Sequence, residues 1–149
     1  MGSAAKSITI TLQCITYNGN TQVGDAATTT ITATCNESVC KPTVTTSVAY
    51  DSSTNTLTGA TNKGILNFST ATITVTATAK NSATISSRQV TLGGETKSGT
   101  SVSFTKLAAG SYIYTVKDSR GFTTTGTVNL TTVAYFAPTI IFLATPPDV

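Results

Sequence analysis

Six carboxylates, nine basic side chains and three thiols are the groups in this chain that could do acid–base, ionic or nucleophilic chemistry, and no histidine accompanies them. The carboxylates are Asp25, Glu37, Asp51, Glu95, Asp118 and Asp148. They stand far apart, each in a stretch that reads as turn, loop or tail, where Asp and Glu are normally solvated. Asp118 also reads as a turn former whose side chain caps the backbone of Ser119-Arg120-Gly121. Catalysis needs titratable groups brought together, and a Ser or Cys nucleophile needs a base beside it. No nucleophile motif, phosphate loop or calcium loop occurs. The expectation is a protein that is not an enzyme, with no catalytic residues, no cofactor-binding residues and no cofactor.

Cys14, Cys35 and Cys40 are odd in number, so they cannot all pair within one chain. Cys35 and Cys40 flank Asn36-Glu37-Ser38-Val39, a loop short enough for a disulfide in an oxidising compartment. A zinc site would need a fourth ligand, so no metal site is expected. The thiols read by default as small buried hydrophobes.

The basic residues Lys6, Lys41, Lys63, Lys80, Arg88, Lys97, Lys106, Lys117 and Arg120 are scattered singly. Nucleic-acid binding needs a basic face or stripe, so no nucleic-acid partner is expected. No run approaches the roughly 18 apolar residues of a membrane helix, so no membrane insertion is expected. The start, Met1 to Ser7, has no apolar core after Lys6 and does not read as a signal peptide. Tyr17, Tyr50, Phe122, Tyr135 and Phe136 offer ring faces for a sugar, but most read as packing residues.

The elements that must carry these residues are strands. Charged residues are 10 % of the chain against roughly 25 % in ordinary soluble domains, and 35 of 149 residues are threonine. A β-branched side chain with a hydroxyl suits the solvent face of a pleated sheet. Ser7 to Tyr17 alternates, with Ile8, Ile10, Leu12 and Cys14 on one face; Thr28 to Cys35 alternates through Ile31, Ala33 and Cys35. Asn18-Gly19 marks a turn between them. The two read as a hairpin with a ragged connection, which must pack on the rest of the chain or on a partner, because a lone hairpin is marginal in water.

Lys41-Pro42 interrupts the pattern, since proline has no N–H for a central ladder. After it come strand candidates at Val44–Tyr50, Asn55–Thr58, Leu66–Phe68, Ala71–Lys80, Ile85–Leu92, Ser101–Lys106, Ser111–Lys117 and Gly126–Val133. Turn signals separate them, among them Asn81-Ser82, Gly93-Gly94 and Asp118-Ser119-Arg120-Gly121. Short strands at this spacing predict an all-β fold, an antiparallel immunoglobulin-like β-sandwich with an additional N-terminal β segment. Tyr112, two residues before inward-facing Tyr114, has the spacing of the corner tyrosine of that fold; the plainer reading is a core-facing pair. The expected organisation is a hairpin-like segment over 1–41, a sandwich over 42–138 and an apolar tail or linker over 139–149. The run Ile140-Ile141-Phe142-Leu143 reads either as a strand docking on a partner or as a last strand on its own domain.

Asp118-Ser-Arg-Gly-Phe-Thr-Thr-Thr-Gly-Thr-Val-Asn-Leu-Thr-Thr-Val-Ala-Tyr-Phe-Ala-Pro138 resembles Ig-like repeats in tail proteins of long-tailed bacteriophages. In those repeats a D-S-R-G turn precedes the last strand and a Tyr followed by Pro closes the domain. Ser69 to Val90 is similar to their second-strand hairpin, so the resemblance spans roughly Pro42 to Pro138. Residues 1–41 lack the closing Tyr–Pro signature. The resemblance implies a structural role in a virion tail, assembled in the bacterial cytoplasm, where unpaired cysteines fit. Its implied partners are other virion tail proteins or copies of itself, with weak host-surface glycan binding as an accessory role in adsorption. The alternative is a bacterial surface adhesin or carbohydrate-binding β-sandwich module, extracellular or at the cell surface.

Overall fold

A computed structural model of the chain describes residues 5–59, 62–134 and 139–141. In chain order the elements are β1 (Ser7–Cys14), β2 (Tyr17–Asn18), β3 (Thr21–Gln22), β4 (Ala27–Thr34), α1 (Glu37–Cys40), β5 (Thr43–Tyr50), α2 (Ser52–Thr58), β6 (Gly64–Ile65), β7 (Ala71–Thr78), β8 (Ile85–Leu92), β9 (Glu95–Ser98), β10 (Ser101–Phe104), β11 (Tyr112–Asp118), β12 (Thr123–Val128) and β13 (Thr132–Val133). The protein is all-β, with two short helices. The larger sheets have the orders β10-β7-β5 and β12-β11-β8-β9; β1-β4, β2-β3 and β13-β6 are two-stranded.

The expected N-terminal hairpin forms. β1 and β4 pair antiparallel from Ser7↔Thr34 to Cys14↔Ala27, and the connection folds back on itself as β2–β3, with Gly19 in the left-handed region at its tip. Several expectations are corrected further on. Asn55–Thr58 is helix, not strand: Asp51 caps α2 and Gly59, at φ +61°, ends it. A four-residue window carries too little periodicity to separate the two, and the cap decides. Leu66–Phe68 is a turn, with Asn67 at φ +62° and the Phe68 and Ser69 N–H groups both donating to Ile65 O. The strand placed at Gly126–Val133 is two: β12 begins at Thr123, and β13 pairs in parallel with β6. Strand β9 was not expected, because Glu-Thr-Lys-Ser has no apolar alternation. Its signal is Gly93-Gly94, both at positive φ, the two-residue hairpin loop that sets Leu92 opposite Glu95.

The chain divides into two compact units. The first holds Met1–Ser47, Ile73–Val102 and Gly110–Asn129. Its buried side chains, Ile73, Val75, Val90, Val102, Tyr112, Val116, Phe122 and Val128, come from both larger sheets and the loop before β12. Each valine in full burial contributes about 1.5–3 kcal/mol. Tyr114 lies across the strand pair over its register partner Gly126, where a Cβ would stand 2.6 Å from the ring. Glycine there makes room for the phenol.

The second unit holds Val48–Thr72, Ser103–Ala109 and Leu130–Val149, and polar groups are prominent in its interior. Thr54 and Ser69 are fully buried beside Ala71 and Leu107. Asp51 Oδ1 accepts from Ser53 Oγ at 2.7 Å and from Thr54 N at 2.8 Å, and Oδ2 accepts from Thr70 N at 2.6 Å. Thr54 Oγ1 lies 2.8 Å from Asp51 Oδ1 and 2.6 Å from Ser69 Oγ. A hydroxyl has one proton and a carboxylate only accepts, so the Thr54 proton goes to Asp51 and Ser69 donates in turn to Thr54. Ser69 Oγ also accepts from Ile65 N at 2.7 Å. Tyr50 Oη donates to Thr131 O at 3.0 Å and accepts from Thr131 N at 3.1 Å, and its ring closes over Gly64, where a Cβ would stand 2.5 Å away.

The hydrogen bonds to Asp51 hold its carboxyl well below the ordinary carboxylate range, against a smaller opposing effect of burial. A folded-state pKa below the unfolded one stabilises the fold above about pH 4, and the contribution fades as pH falls further. Asp51→Ala should destabilise the protein by about 2 kcal/mol at neutral pH, the sum of a lost cap and a lost acceptor. Urea unfolding from pH 7 down to 2.5 should then show the wild type losing more stability below pH 4 than the variant. Equal losses would remove Asp51 as the cause.

Candidate functional site

The carboxylates among the described residues do not converge. Asp25, Glu37 and Glu95 are exposed, and Glu95 pairs with its neighbour Lys97 at 3.2 Å on the surface. Asp51 is engaged at the helix cap. Asp148, Tyr135, Phe136, Phe142 and Leu143 lie outside the described residues, as does the Tyr–Pro closing signature. No three His, Cys, Asp or Glu side chains among the described residues are grouped to hold a metal ion. No described helix is long and apolar enough to cross a membrane.

Asp118 departs from the solvated reading and fulfils the turn-former one. It is buried, and Oδ1 accepts from Arg120 N at 3.0 Å and Phe122 N at 2.8 Å. The pairing of β11 with β8 shifts register at Lys117/Asp118, and the chain turns there. Ser119 docks the turn on the loop after β7: its N donates to Thr84 O at 2.8 Å and its Oγ accepts from Thr84 N at 3.1 Å. Arg120 is buried too, its guanidinium donating to Lys80 O at 3.1 Å and to Asn81 O. The D-S-R-G side chains thus bind backbone.

Of the three thiols only Cys40 is buried, which corrects the default reading for the other two; Cys14 is exposed and Cys35 half-buried. Cys35 and Cys40 are hydrogen-bonded neighbours without a disulfide, and burial together with the Cys40 thiol pushes the Cys35 pKa up. A raised pKa keeps Cys35 a thiol, away from nucleophilic chemistry.

The ring faces considered for sugars mostly have other work. Phe122 is buried with the Lys6 ammonium 4.7 Å above its centroid. Tyr50 is tethered to Thr131, and burial raises its phenol pKa. Tyr17 alone of the described candidates is largely exposed. An open polar cleft of about 370 Å3 lies beside Arg88, lined by Ser86, Ser87, Ser98, Gly99 and Thr100. Arg88 Nε itself is buried without a hydrogen-bond partner.

The β1–β4 ribbon groups four exposed large apolar side chains on one face, and every residue of both strands is exposed. One face is hydroxylic, with Thr9 Oγ1 3.4 Å from Thr32 Oγ1 across the strands. The other carries Ile8, Ile10, Leu12 and Ile31, and no described segment covers it. Of the two coverings expected for the hairpin, the rest of the chain or a partner, the first does not reach this face among the described residues.

If Asp118 is architectural, Asp118→Ala should cost about 2–4 kcal/mol by leaving two buried N–H groups without an acceptor. Asp118→Asn keeps the Oδ1 acceptor and should recover most of that in urea unfolding. Equal damage from both substitutions would show that the charge, not the acceptor, matters. Comparison with protein-family models, with curated proteins and with solved structures finds no match.

Proposed function

We propose that the chain is a non-enzymatic structural module of a bacteriophage virion tail, built as an Ig-like β-sandwich with an added N-terminal ribbon. Its partners on this reading are other tail proteins or further copies of itself, and adsorption to the host surface is an accessory role. The observation that carries the reading is the Asp118–Gly121 turn, the motif on which the resemblance to tail repeats rests. Its buried Asp and Arg hold backbone atoms, which suits an architectural motif and leaves them unsuited to a ligand.

Strand order supports the sandwich. With β5, β7, β8, β9, β10, β11 and β12 lettered A, B, C, C′, E, F and G, one sheet holds A, B and E and the other C′, C, F and G. Ig-like sandwiches divide their strands in this way.

A surface-binding module is the second reading, and the cleft beside Arg88 favours it, because a guanidinium among hydroxyls suits an anionic sugar. Mass spectrometry of particles from the phage that encodes the chain should recover its peptides, and antibody labelling should fall on the tail. Absence from particles, with saturable saccharide binding lost in Arg88→Gln, would replace the structural reading with the binding one.

A further inference from the structure

On the apolar face of the ribbon, register sets Ile8 across from Ala33, Ile10 from Ile31, Leu12 from Thr29 and Cys14 from Ala27. Apart from the central isoleucine pair, each pair joins a larger residue on β1 to a smaller one on β4. The face is therefore a wedge, thick along β1 and thin along β4. Its four large side chains are 43–53 % exposed. A two-stranded ribbon left so is at best marginal in water.

We propose that this face is covered by the same face of a second copy of the chain, stacked about a twofold axis parallel to the strands. That rotation lays each β1 over the β4 of the other copy. Ile8 then meets Ala33 across the interface, Leu12 meets Thr29, Cys14 meets Ala27 and Ile10 meets Ile31. Thick edge fills thin edge, with the reciprocity an isologous contact requires. β1 and β4 contain no Asp, Glu, Lys or Arg, so two chains of net charge +3 bring no like charges together at the contact. Eight residues at about 3.4 Å each give a face about 27 Å long. Two such faces remove on the order of 1,000 Å2 from solvent together, about the least a specific interface needs. The dimer is therefore concentration-dependent. The inference goes beyond the reading above, since it does not require the assembly to be a virion.

Light scattering of the full chain across a concentration series tests it. The wild type should pass from one chain to two as concentration rises. Ile10→Lys puts an ammonium at the centre of the contact and should weaken the dimer by more than about a hundredfold. Thr30→Lys, on the hydroxylic face, should leave it unchanged. Ala33→Ile makes both edges thick and should weaken the dimer about tenfold. Ile8→Ala with Ala33→Ile exchanges the edges and should recover most of that loss. All substituted positions are exposed, and circular dichroism melts check that each variant folds. A wild type that stays one chain, a mass of three chains, a dimer that survives Ile10→Lys or an edge exchange that recovers nothing overturns the proposal. A monomeric chain found in phage particles defeats only this inference. A dimer absent from particles defeats only the virion reading.

Discussion

The four-stranded sheet depends on one oxygen atom. Asp118 Oδ1 takes the backbone N–H groups of Arg120 and Phe122 where β11 shifts register and turns towards β12. Buried backbone donors without partners would destabilise that turn by more than any nearby contact restores. Arg120 does the converse, giving its guanidinium protons to two carbonyls of the loop after β7. For Asp118 Oδ1 and the Arg120 guanidinium these bonds replace the ones water would make, whereas Asp118 Oδ2 is buried without a hydrogen-bond partner.

The second unit solves the same problem with smaller groups. Asp51, Thr54 and Ser69 form a chain of acceptors and donors that ends on the N–H groups of Thr54, Ile65 and Thr70. Outside the core, hydroxyls replace charges as the hydrated surface. Thr72 and Ser103, Thr74 and Ser101, and Thr91 and Thr96 each face one another at 2.9 Å across neighbouring strands. A surface of this kind repels little, so apolar patches on it can meet other molecules without opposing fields.

The polar groups of the interior are tied to the backbone and to one another. Its carboxylates accept from backbone N–H groups and, at Asp51, from hydroxyls. Outside that interior, burial and then the neighbouring Cys40 thiol raise rather than lower the Cys35 pKa. The uncovered ribbon, by contrast, is an apolar surface that folding of a single chain does not hide among the described residues.

Periodicity alone determined the strands with apolar alternation, β1, β4, β5, β7, β8 and β11, because a period of two is local and leaves its mark on each segment. It also determined Asp118 as a turn former, since Asp-Ser-Arg-Gly has the chemistry of a turn wherever it falls. Only the tertiary structure decided the elements whose sequences are locally neutral. Thr54 to Thr58 coils because Asp51 caps it, Glu95 to Ser98 extends because β8 pairs with it, and Thr123 to Thr125 join β12 because β11 supplies the ladder. Threonine reads equally well in strand and loop, so its state is set by the partner strand. The burial of Asp118 and Arg120, and the exposure of Ile8, Ile10 and Leu12, were likewise decided in three dimensions. Alternation says which side chains share a face, whereas only the packing of distant segments says whether anything covers it.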